Sequence, residues 1–141
     1  MIQNKREYKI TKAQADKFAE ALAAFEKSPP EGHPKTRKAY KDALKSQLEE
    51  LQDQLSEYEA LKLGQTNALA ISSFDELPKV LIQARIAAGL SQKELGEKLG
   101  LKEQQIQRYE ATLYQSASLT RLLEVSHALE VRLDGQVVLG K

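Results

Sequence analysis

Apolar side chains recur along this chain at steps of three and four residues, punctuated by proline and glycine, and the pattern predicts helices almost throughout. Ala15, Phe18, Leu22 and Phe25 form one stripe. Thr11-Lys12-Ala13-Gln14 has the form of a capping box, with Ile10 placed to staple against Ala15, so the spacing predicts a helix over 11–27. Three prolines and a glycine between Ser28 and Pro34 end it. From Lys35 to Leu63 neither residue occurs, and Leu44, Leu48, Leu51, Leu55 and Tyr58 follow heptad spacing along one long helix. That stripe suits an antiparallel hairpin with helix 11–27, and it offers a seam to a second copy as well.

Gly64 to Asp75 reads as a linker, in which Ala68 to Ile71 has the pattern of a short strand. Beyond it the apolar spacing predicts a helix over 77–88 closed by Gly89, and a short helix that starts at the capping box Ser91-Gln92-Lys93-Glu94 and ends before Gly100. A third helix is expected over 103–112, with Ile106 and Tyr109 inward. Ser118 caps a fourth, 119–129, whose stripe is Leu119, Leu122, Leu123, Ser126 and Leu129. The tail is rich in β-branched residues around Asp134-Gly135, a hairpin signal, but strands this short need a neighbour. The expected organisation is a mainly all-α chain: an N-terminal helical association domain over 1–63, either a hairpin or one long helix; a linker over 64–76; a helical domain over 77–130; and a β-prone tail, hairpin or strand, over 131–141.

Composition narrows the chemistry. Among 141 residues, 21 basic side chains face 20 acidic ones, so bulk attraction to a phosphate backbone is excluded and any nucleic-acid binding must use a local surface. Residues 78–141 are mildly basic, with nine basic and seven acidic side chains. The absence of cysteine removes disulfides, thiolate metal sites and cysteine nucleophiles. His33 beside prolines and His127 on a helix have no partner at ligand spacing, so no metal or other cofactor is expected. Phosphate loops, dinucleotide glycine patterns and the nucleophile elbow are absent, and the expectation is a non-enzyme. No window has the length of a transmembrane span, and the start Met-Ile-Gln-Asn-Lys-Arg lacks a signal peptide's apolar core; the expected compartment is the cytoplasm.

Two short helices joined by a turn at Gly100 have the order of a helix-turn-helix, whose second helix lies in the DNA major groove. The run from Arg85 to Glu110 closely resembles the Cro/repressor-type, or XRE-like, family: Gly89 to Gln92, Glu94-Leu95, Leu99-Gly100 and Ile106 to Glu110 match its recurring elements in register. The resemblance covers roughly residues 77–130 and implies a lambda-repressor-like helical bundle. It implies that Ser91 and Gln92 grip a phosphate at a helix start. Glu103, Gln104, Gln105 and Arg108 would then face the groove floor, with Lys102 and Gln107 nearer the backbone. Glutamine suits adenine, arginine guanine and glutamate cytosine in such a role. Arg85 and Glu110 match a family ion pair that is architectural. Gly96 stands where the family usually has alanine, and Lys102 where a Ser or Thr cap is common.

The resulting expectation is a sequence-specific transcriptional repressor that binds double-stranded DNA as a homodimer on a pseudo-palindromic operator through helix 103–112. Dimer surfaces are expected at Leu48, Leu51 and Leu55 or at Val131, Leu133, Val137 and Val138, with the tail preferred because similar tails in HipB-like antitoxins pair between subunits. The alternative is an antitoxin resembling the HigA and HipB-like proteins, in which residues 1–63 neutralise a toxin partner while the helix-turn-helix autoregulates the operon. A third reading is an interaction scaffold that has lost DNA binding.

Overall fold

The computed structural model describes residues 1–140. It is all-α, and the chain divides into two compact units, Met1–Gln65 and Thr66–Lys141.

The first unit pairs α1 (Lys5–Lys27) with α2 (Pro34–Lys62). The helices run antiparallel: Tyr8 stacks on Tyr58 at 5.2 Å, and at the other end Phe25 meets Tyr40 at 5.5 Å and Lys41 pairs with Glu26 at 3.4 Å. The heptad stripe is thus used within one chain, with Leu44 and Tyr58 buried and Leu48, Leu51 and Leu55 half-buried. The start of α1 corrects the expected boundary. Asn4, not Thr11, is the cap; its side chain accepts from Glu7 N at 2.9 Å, while the Glu7 carboxylate accepts from Gln3 N at 2.7 Å. Thr11 is a buried residue inside the helix, and Ile10, expected to staple, is 49% exposed. Two sequences here compete as N-terminal signals, and the earlier one wins because it lets Tyr8 cover Tyr58 and donate to Glu59 at 2.6 Å. His33, beside the prolines that separate the two helices, caps α2 by accepting from Lys35 N through Nδ1 at 3.1 Å.

The second unit begins with a single 3-10 turn, Phe74–Glu76, followed by α3 (Leu77–Ala87), α4 (Gln92–Leu99), α5 (Glu103–Ala111) and α6 (Leu119–Ala128). Ala68 to Ile71 form no strand. The core gathers Leu81, Ile82 and Ile86 of α3, Leu95 of α4, Ile106 of α5 and Val125 of α6. This corrects the expected stripe of α6. Val125 is fully buried with Leu122 and Leu129 flanking it, whereas Leu119 and Leu123 are 70% and 50% exposed. The tail is a further correction: residues 131–140 form no strand, and Leu133, Val137, Val138 and Leu139 lie exposed. Two strands of three or four residues do not hold each other without a third to pair with. Among the described residues no helix is long and apolar enough to cross a membrane.

Candidate nucleic-acid interface

The α4–turn–α5 element is set by local chemistry at its first end and by close packing at its middle. Ser91 caps α4 in a reciprocal box: its hydroxyl accepts from Glu94 N at 3.0 Å, and the Glu94 carboxylate accepts from Ser91 N at 3.1 Å. Gly100 ends α4 in the left-handed conformation, φ 69°, and turns the chain so that Leu101 N donates to Gly96 O at 2.8 Å. This brings the carbonyl of Leu101 against Gly96, where a Cβ would stand 2.7 Å from it. The glycine at position 96 is therefore required by the approach of the turn, and the helix propensity it forfeits is the consequence.

A buried polar network fastens this element to α3. Arg85 grips Glu110 with both ends of its guanidinium, Nε to Oε2 at 2.6 Å and Nη2 to Oε1 at 2.8 Å, with side chains 3% and 0% exposed. Arg85 Nη1 also donates to Leu90 O at 2.8 Å, which ties down the α3–α4 turn. Gln92 Nε2 donates to Glu110 Oε1 at 3.0 Å. The resemblance had assigned that side chain to a phosphate; the structure turns it inward and buries it, because the Glu110 carboxylate in the core can take more donors than Arg85 alone supplies. Beside the network lies Tyr114, a residue that spacing alone does not single out. It stacks on Tyr109 at 5.5 Å, follows Leu113 in a second consecutive left-handed conformation (φ 50° and 56°), and has its hydroxyl buried without a hydrogen-bond partner. Burial, followed by the Glu110 charge, pushes its ionisation well above the ordinary tyrosine value.

With Ile106 and Glu110 of α5 buried and Tyr109 half-buried, the remaining face of the helix is polar and open to solvent. Glu103, Gln104, Gln105, Gln107 and Arg108 all lie on it, with Lys102 at its start and Ser91 exposed at the start of α4. Two of these side chains have intramolecular tasks. Gln105 Oε1 accepts from Lys102 N at 3.1 Å, and Gln107 Nε2 reaches Glu103 Oε1 at 3.4 Å. Such a helix, buried along one side and carrying amide and guanidinium groups along the other, has the donors and acceptors that read base edges.

The helix-turn-helix family model matches residues 81–136, a span that takes in most of α3, all of α4 to α6 and the start of the tail. No curated protein and no solved structure gives a match to the chain.

Proposed function

We propose that the chain, whose residues 81–136 match the helix-turn-helix family model, is a Cro/C1-type DNA-binding regulator that acts as a sequence-specific repressor, cytoplasmic and dimeric, with α5 entering the major groove of a pseudo-palindromic operator. The observation that carries this reading is the solvent-facing row of α5, Glu103 to Arg108, held at a defined angle by the buried Arg85–Glu110–Gln92 network. A nearly neutral chain draws little from bulk attraction, so two half-sites about 34 Å apart, each read by one copy, supply the affinity that one helix lacks. Leu119, Leu123 and the exposed tail residues Leu133, Val137 and Val138 support the second unit as the dimer surface. Residue Val131 is half-buried, and the hairpin leaves Leu48, Leu51 and Leu55 half-buried.

The antitoxin reading has one observation in its favour: Met1–Gln65 folds as a compact unit of its own. The deciding experiment is binding of the purified chain to DNA from its own upstream region at two salt concentrations, with Arg108→Ala beside it. Tight, salt-sensitive binding weakened by the substitution is expected. Binding no better than to random DNA refutes the repressor reading.

A further inference from the structure

We propose that Gln105 is a positioning residue that holds the first turn of α5, and not one of its base-reading side chains; the inference rests on the DNA-reading function proposed above. The first turn of α5 lacks the arrangement that starts α4. At α4 the capping residue is Ser91, whose hydroxyl accepts a backbone amide while Glu94 returns the bond. At α5 the capping position belongs to Lys102, and an ammonium has no lone pair with which to accept. Gln105 carries the closure instead. Its side-chain Oε1 accepts from Lys102 N at 3.1 Å, and its own backbone N donates to Lys102 O at 3.0 Å. Ile106 N also reaches Lys102 O, at 3.4 Å, so the turn is closed around a single carbonyl.

This placement has a consequence for recognition. A glutamine reads adenine with its amide oxygen and nitrogen together, one accepting and one donating in the same plane. The oxygen of Gln105 is directed at its own backbone, so turning it to a base would release the first turn that carries Glu103 and Gln104. Glu103 is in turn engaged with Gln107. Gln104 and Arg108 remain, four residues apart on one exposed face of the helix. They are the pair to which base choice falls, while Gln105 determines whether that pair is presented.

The test uses the full chain and a randomised double-stranded DNA library. Sites are selected with the wild-type protein, and binding to the selected site and to each of its single-base variants is then measured for Gln105→Ala, Lys102→Ser and the double substitution. Loss of a helix cap of ordinary strength weakens binding about fivefold through fraying of the first turn. Gln105→Ala should lower affinity by that factor equally for all sites, with the base preference unchanged. In the Lys102→Ser background the same substitution should cost less, because a serine hydroxyl accepts from the backbone amide of residue 105, as Ser91 does at α4, and so gives the first turn a second closing bond. A loss confined to one base position, undiminished in the Lys102→Ser background, overturns the proposal and makes Gln105 a reader. Failure of the wild-type chain to enrich any sequence removes the DNA-reading function itself, and the proposal with it. Thermal unfolding of the four proteins provides an independent readout: the cap predicts that the cost of Gln105→Ala also shrinks when Lys102 is replaced.

Discussion

Arg85 near the end of α3 and Glu110 near the end of α5, 25 residues apart, form a two-bonded ion pair with both side chains sealed from solvent. Gln92 adds a third bond to the carboxylate and the Leu90 carbonyl a third to the guanidinium. Removal of one partner leaves the other as a buried uncompensated charge, so Arg85→Ala and Glu110→Ala should each cost about 3–5 kcal/mol. Urea unfolding of the full chain followed by circular dichroism measures this. A loss under 1 kcal/mol for both variants would show that the pair contributes little to holding α5.

Gly96→Ala separates two opposed effects. Alanine recovers about 1 kcal/mol of helix propensity, but its Cβ meets the Leu101 carbonyl at 2.7 Å, and a backbone oxygen cannot swing aside. The net effect expected is destabilisation by about 1–3 kcal/mol with a displaced α4–α5 turn. A raised melting temperature in the variant contradicts this account of the turn.

Tyr114→Phe should stabilise the second unit. The hydroxyl is buried with no hydrogen-bond partner, and deleting it relieves a desolvation cost of about 1–3 kcal/mol while the ring keeps its stack on Tyr109. The pH dependence follows in sign. The folded state holds this hydroxyl's ionisation above its unfolded value of 10.0, so wild-type stability is untouched by its titration below that pH and declines as pH rises through the alkaline range, where the unfolded chain ionises more readily than the folded one. Alkaline melting curves of the wild type and Tyr114→Phe should diverge above pH 10, with the variant holding longer; parallel curves would refute the assignment.

On DNA, Arg108→Ala and Gln104→Ala should each lose about 1–3 kcal/mol on the preferred site and relax the choice at one base position. Lys102→Ala should weaken binding evenly across sequences and reduce the salt slope by about one. Titrations at three salt concentrations on the selected site and one mismatch distinguish the two patterns.

Self-association can be located with single charges. Val138 is 90% exposed, so Val138→Glu leaves the fold intact and should abolish a dimer built on the tail. Sedimentation velocity of the variant reads the outcome. An unchanged dimer moves the interface away from the tail, toward the half-buried Leu48, Leu51 and Leu55 of the hairpin.

The sequence by itself determined the features whose causes are local. Ser91 and Glu94 stand three residues apart and find each other wherever the chain goes, so the start of α4 is legible. So are the stop at Gly100, the long helix with no proline or glycine after its first residue, and the polar side chains Glu103, Gln104, Gln105, Gln107 and Arg108. The tertiary structure decided the features in which local signals compete or distant residues meet. Asn4 prevails over Thr11 because Tyr58 and Glu59, half a hundred residues away, reward the longer helix. Val125 turns inward on α6 because the core it fills is contributed by α3, α4 and α5, leaving Leu119 and Leu123 outside a face that helical spacing alone had assigned to them. Gln92 faces Glu110 instead of solvent, since a carboxylate sealed in a core draws every donor within reach, and only the folded chain brings the two together.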